Sequence, residues 1–115
     1  MTNREPTMTN RKVTLRAERS GSDVRNLRAY LLDDGSLRIE GQDLGPGTAM
    51  VSDDGEYEWY RTVRAGDVPQ LVRLLGGEPS SDVLDLLQER YTGTESYELE
   101  RVLRESEIPV ETYVV

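Results

Sequence analysis

Residues 26–42, NLRAYLLDDGSLRIEGQ, consist of two alternating runs joined by the turn sequence Asp-Asp-Gly-Ser. Apolar side chains take every second position in both runs, at Leu27, Ala29 and Leu31 and then at Leu37 and Ile39. Alternation of this kind places the apolar residues on one face of a strand. Gly35 supplies the positive φ angle that a tight hairpin turn requires. The stretch therefore predicts a β-hairpin, to which the remaining elements are added.

Three further segments alternate in the same way, and they predict strands at residues 11–18, 56–64 and 110–115. In the second of these, Trp59 is expected to be the largest anchor of the core because its ring buries the most apolar surface. Residues 1–10 are polar and lie ahead of the first strand, so we expect them to form a disordered lead-in.

The apolar period changes after Gly66, where the pattern becomes helical. Three helices are expected to begin near Asp67, within residues 79–82 and within residues 92–96, and to end near Gly76, Tyr91 and Ser106. Asp67 with Gln70, and Thr92 with Glu95, have the spacing of a capping box.

Strands followed by helices and then by one more strand predict an α+β fold. We expect a single domain over residues 11–115. It would contain a mostly antiparallel sheet of about five strands, four N-terminal and one C-terminal, with about three helices packed on one face.

The sheet face turned away from the helices is expected to carry polar and aromatic side chains. Alternation assigns to it Arg16, Arg28, Tyr30, Arg38, Glu40, Glu58, Tyr60, Arg64 and Tyr113. Tyr and Arg are enriched where proteins bind one another. The alternative is an ordinary solvated face on which Arg and Glu pair across strands.

The composition excludes several kinds of chemistry. The chain has no His and no Cys, which removes Ser and Cys triads, thiolate nucleophiles and the usual ligands of structural zinc. Its single Lys lies at the start of the first strand, so no P-loop is present. We therefore expect no bound metal or cofactor and no enzymatic activity.

The net charge of −8 is unevenly placed, with +3 on residues 1–25 and −11 on residues 26–115. Such a body repels nucleic acid and anionic membranes and attracts a basic partner. No signal peptide or long apolar segment occurs, so we expect a cytoplasmic protein.

Acidic side chains are the candidate contacts for a partner protein. The set comprises Asp53, Asp54, Glu56 and Glu58 around the predicted fourth strand and Asp82, Asp85 and Glu89 on the predicted second helix. The first four lack the ligand spacing of a Ca²⁺ loop, and a solvated acidic turn is the simpler interpretation. On the open sheet face the candidates are Arg28, Tyr30, Arg38, Tyr60 and Arg64.

Four segments, LRAYLLDDGSLRIEGQDLGPG, DGEYEWYRTV, LLGGEPSSDVLDLLQERYTG and ELERVLRESEIPV, resemble a group of small acidic actinobacterial proteins that have no assigned activity. The resemblance covers roughly residues 26–112 and implies a shared fold, without functional residues. Small acidic α+β proteins also include immunity proteins of bacterial toxin systems, a comparison that rests on size and charge alone.

Two hypotheses follow. The first is a non-enzymatic protein-binding module, most concretely an immunity or antitoxin-type inhibitor that masks a basic surface of its partner. The second is a homodimeric structural or regulatory protein that associates through the open sheet face. An enzyme that uses carboxylates alone is a third and weaker hypothesis, because no apolar run encloses a carboxylate.

Overall fold

The structure is a computed structural model that describes residues 9–45, 56–78 and 80–114. Within these ranges lie the strands β1 (Thr9–Ser20), β2 (Asp23–Leu32), β3 (Leu37–Leu44), β4 (Glu56–Val63) and β5 (Glu111–Val114). Each strand pairs antiparallel with the next, so the strand order in the sheet is the order in the chain. The predicted α+β fold, with four N-terminal strands and one C-terminal strand, is confirmed.

The predicted hairpin is formed by β2 and β3, with Leu31 opposite Leu37. Gly35 has a φ of 88°, and its N–H donates to the carbonyl of Leu32 at 2.9 Å. Asp34 accepts hydrogen bonds from both the N–H and the hydroxyl of Ser36. The side chain of Asp34 and the positive φ of Gly35 together fix the turn and hence the register of the two strands.

The helices α1 (Val68–Leu74), α2 (Val83–Arg90) and α3 (Ser96–Glu105) follow β4. Asp82 caps α2 by accepting a hydrogen bond from the N–H of Asp85. The capping boxes predicted at Asp67 and Thr92 are not formed. Asp67 ends the 3₁₀ turn Ala65–Asp67 and Thr92 precedes the 3₁₀ turn Gly93–Glu95, and neither side chain makes a capping hydrogen bond.

The core lies between one face of the sheet and the helices. The sheet contributes Leu15, Leu27, Ala29, Leu37, Ile39, Trp59 and Val63, and residues 71–108 contribute Leu71, Val72, Leu75, Val83, Leu84, Leu86, Leu87, Leu99, Leu103 and Ile108. Helix α3 lies on this face of the sheet, where Ser96 and Glu100 both bond to Arg16 of β1 and Glu100 also pairs with Arg61 of β4. The predicted helix-covered face is therefore the one observed.

Strand β1 departs from the prediction at its start and in its middle. It begins at Thr9, so it takes in the last two residues of the predicted lead-in, and residues 1–8 lie outside the described ranges. A register shift between Thr14 and Arg16 then turns Arg16 to the helix side, where it is only 4% exposed. The prediction that Arg16 lies on the open face was wrong, because an extra residue in one strand reverses the alternation beyond it.

None of the helices in the described ranges is long and apolar enough to cross a membrane.

Candidate functional site

Three of the predicted acidic contacts lie together on α2 and its N-cap. Asp82, Asp85 and Glu89 are spaced so that they share one side of the helix. With Glu78 and one basic residue, Arg90, they line an open groove of about 360 Å³, which we call the acidic groove. Glu89 is exposed, and the side chain of Asp85 is 70% exposed. The groove therefore presents carboxylates to solvent.

A guanidinium group already occupies part of this surface. Arg11, on β1, pairs with Asp82 and also with Asp85, the second at 3.2 Å. The hydrogen bond from Arg11 lowers the pKa of Asp82 below its ordinary value. The acidic groove thus already binds one basic side chain of the same chain. Glu78 and Glu89 make no ion pair with the described residues.

The remaining acidic candidates lie elsewhere. Glu58 is on the open face of β4, where it accepts a hydrogen bond from Gln42 at 2.9 Å. Glu56 begins β4, and Asp53 and Asp54 fall outside the described residues. The structure therefore does not bring Glu58 onto the same surface as the acidic groove.

The open sheet face is an ordered polar layer. Arg28, Glu40 and Tyr60 stand side by side on adjacent strands, and Tyr60 is followed by Tyr113 of β5. Glu40 accepts a hydrogen bond from Tyr30 at 2.9 Å and lies 3.6 Å from Arg28. Burial, and then the bond to Glu40, raise the pKa of Tyr30. The predicted residues on β2, β3 and β4 thus share this face.

The aromatic part of the open face lies toward β5. The rings of Tyr60 and Tyr113 stack with their centroids 6.3 Å apart, and the guanidinium of Arg38 lies 5.2 Å from the centroid of Tyr60. Tyr113 remains 67% exposed. Arg64, predicted on this face, follows the last residue of β4 and is exposed, so strand alternation no longer assigns it a side.

A second surface was not predicted from the sequence. Between the sheet and α3 lies an open cleft of about 410 Å³, which we call the arginine cleft. Its floor is formed by Arg16, Arg25, Asp43, Tyr57, Trp59 and Arg61, and its wall is formed by Tyr97, Glu100 and Arg104 of α3. Four guanidinium groups meet two carboxylates there, which is the reverse of the charge of the whole chain.

Glu100 is the central anion of this cleft. Its carboxylate lies 2.5 Å from a terminal nitrogen of Arg16 and 3.5 Å from one of Arg61. Arg16 also donates to the hydroxyl of Ser96 at 2.8 Å. At the outer end of the floor Asp43 lies 3.8 Å from Arg25. Burial raises the pKa of Asp43, and the two arginines nearby, Arg25 and Arg16, oppose that rise.

Two of the guanidinium groups are stacked on aromatic rings. Arg16 lies 3.5 Å from the ring centroid of Tyr97, and Arg61 lies 4.1 Å from that of Trp59. Burial, and then a hydrogen bond to Glu18, raise the pKa of the Tyr97 hydroxyl. Stacking of this kind fixes the plane of a guanidinium group while its N–H groups stay available at the edge.

One signal in the sequence indicates part of this cleft. Arg61 stands between Trp59 and Val63 at alternating positions, so strand alternation alone assigns it to the core side. A charged residue at such a position needs a buried partner. The partner, Glu100, lies 39 positions further along the chain, and nothing in the sequence names it.

Among the residues that the structure describes, no group of three or more acidic side chains is arranged to hold a metal ion. The resemblance to small acidic actinobacterial proteins stays a prediction. The chain matches no protein-family model, no curated protein and no solved structure.

Proposed function

We propose that this protein is a non-enzymatic binding protein that docks a basic region of another protein on its acidic groove. The observation that carries the proposal is the arrangement of Glu78, Asp82, Asp85 and Glu89 along one open groove. Residues 78–107, which include it, contain nine acidic and three basic side chains, a net charge of −6. Such a surface accelerates the approach of a positively charged partner and disfavours acidic competitors.

The contact with Arg11 supports a guanidinium group as the chemistry recognised. Asp82 and Asp85 hold that group from two sides. An arginine supplied by a partner would find Glu89 and Glu78 beside them in the same groove. The most concrete form of the proposal is an immunity or antitoxin-type inhibitor that covers the basic active surface of a toxin.

The experiment begins with capture of partners from a lysate of the source organism at low ionic strength. The best candidate is then purified, and its affinity is measured by calorimetry over a range of salt concentrations. The variant Asp85→Asn with Glu89→Gln removes two charges from the groove. We expect it to weaken binding about tenfold, since two exposed charge pairs together contribute about that factor. Its affinity should also depend less on salt.

The matched control is Glu105→Gln with Glu107→Gln, which removes two exposed charges at the end of α3. The control should bind almost as the wild type does. Arg11→Gln frees Asp82 and Asp85 and should strengthen binding. Equal losses in both double variants, or an affinity that does not change with salt, would contradict the proposal.

The second candidate function is self-association through the open sheet face. It is favoured by Tyr113, which stacks on Tyr60 yet remains 67% exposed at the edge of the sheet. Exposed aromatic rings held in place by a neighbour are typical of residues that dominate an interface.

A further inference from the structure

The arginine cleft carries an excess of positive charge inside an acidic protein. Arg16, Arg25, Arg61 and Arg104 face it, against Asp43 and Glu100. Two arginines share Glu100, and the side chains of these two are 3% and 19% exposed. Because charges removed from water require compensation, one carboxylate for one buried and one partly buried guanidinium group leaves a net positive charge in this part of the cleft.

The hydrogen bonding of Arg61 also indicates that the cleft has too few acceptors for its guanidinium groups. Its Nη1 atom is buried and has no acceptor among the described residues. It lies within ion-pair distance of Glu100, at 3.5 Å, without the geometry of a hydrogen bond. A buried donor that has lost its water is costly unless an acceptor reaches it. Arg104, on the wall of the cleft, is exposed and has no ion-pair partner among these residues.

We propose that the arginine cleft binds a small molecule through an oxyanion, a phosphate or carboxylate group. The oxyanion would accept hydrogen bonds from Arg61 and Arg104. The planar fork of a guanidinium group matches two oxygens of either anion. Stacking on Trp59 holds Arg61 in one orientation before the ligand arrives, which reduces the entropy lost on binding.

The size and lining of the cleft suit a small organic molecule better than a chain. Its volume of about 410 Å³ falls within the range of small-molecule sites. Tyr57 and Tyr97 add aromatic surface beside the arginines, so the part of the ligand that carries the oxyanion can lie against a ring. This site is independent of the acidic groove, which has the opposite charge.

Trp59 provides the readout, because it is the single tryptophan of the chain and stacks on Arg61. Its fluorescence is followed while inorganic phosphate, succinate, AMP or adenosine is added at constant ionic strength. We expect a saturable change with at least one of the three anions and none with adenosine, which carries no charge. Comparing the affinities for phosphate and succinate shows which oxyanion is preferred. Comparing those for AMP and phosphate shows whether the ring of the ligand contributes.

Substitutions of single arginines test whether the anion binds in the arginine cleft. Arg104→Gln changes an exposed side chain, so it should fold normally and weaken binding about tenfold, the effect of one charge-assisted hydrogen bond. Arg61→Lys keeps the charge but loses the fork, and it should weaken binding similarly. The matched control is Arg101→Gln on the same helix, since Arg101 pairs with Glu98 and Glu105 away from the cleft.

Circular dichroism establishes that each variant is folded. The proposal is overturned if none of the three anions gives a saturable change at millimolar concentration. It is equally overturned if adenosine binds as well as AMP, or if Arg101→Gln weakens binding as much as Arg104→Gln does. In the last case general electrostatic attraction, and not the cleft, would explain the signal.

Discussion

Gly41 on β3 lies opposite Trp59 on β4, and the indole ring fills the space that a side chain at residue 41 would take. A Cβ atom built on Gly41 overlaps three carbons of that ring. The absence of a side chain at this position is therefore what allows Trp59 to lie flat on the sheet, where it is only 6% exposed.

Gly41→Ala should destabilise the protein by about 1–3 kcal/mol, the usual cost of adding atoms to a packed core. The indole would be displaced toward solvent, so its emission should shift to longer wavelength. Urea denaturation followed by fluorescence measures both effects. Gly66→Ala is the matched control, because open space surrounds Gly66 and its backbone is unstrained. Equal stability of the two variants would contradict this packing.

Glu100→Gln should cost about 3 kcal/mol of unfolding free energy, because it leaves the buried Arg16 and the partly buried Arg61 without their shared anion. Glu98→Gln on the same helix removes a carboxylate from an exposed pair with Arg101 and should hardly move the denaturation midpoint. Both variants are denatured in urea and not in guanidinium chloride, because urea is uncharged and leaves the ionic strength constant. A loss in Glu100→Gln no larger than that in Glu98→Gln would show that the buried pair does not stabilise the fold.

Asp34→Ala should lower the midpoint of urea denaturation at neutral pH, since the carboxylate holds the hairpin turn through Ser36. The hydrogen bonds from Ser36 keep the pKa of Asp34 below its ordinary value of 3.8. A carboxylate with a lowered pKa stabilises the folded state above its ordinary pKa, and that contribution is lost as pH falls through the folded value. The difference between wild type and Asp34→Ala should therefore disappear in acid.

The neighbouring variant Asp33→Ala serves as the control, because Asp33 is equally exposed in the same turn. It should unfold almost as the wild type does at every pH. A pH-independent effect of Asp34→Ala would instead indicate that the residue acts through backbone conformation alone.

The homodimer hypothesis predicts that sedimentation finds a dimer that Tyr60→Ala or Tyr30→Ala converts to monomers. Leu74→Ala, which changes an exposed apolar side chain of α1, should leave that dimer intact. A wild-type chain that remains monomeric at high protein concentration would contradict the hypothesis and leave the acidic groove as the proposed docking surface.

Local periodicity predicted most of the sheet. Alternation assigned Leu27, Ile39 and Trp59 to the covered face, and all three are buried there. It failed in β1 because the shift between Thr14 and Arg16 arises from pairing with β2, and the sequence RKVTLRAE carries no sign of it. Position within a strand is local information, whereas a bulge depends on the partner strand.

The same contrast between local and long-range information holds for the candidate sites. Asp82, Asp85 and Glu89 were predicted as contacts on the second helix, and in the structure all three line the acidic groove. The arginine cleft was missed because its members come from four strands and a helix, which are brought together by strand pairing and by the packing of α3 against the sheet. The position that a helix takes on the sheet leaves no local signal in a single sequence.

The order of the elements has a consequence for protein synthesis. The ribosome delivers the four-stranded meander first, and its cover arrives only with residues 71–108. Until the helices have emerged, Leu27 and Ile39 lack the layer that shields them from water. A polypeptide that ended before that point would expose the apolar face of its sheet to water. Such a surface favours aggregation and binds chaperones.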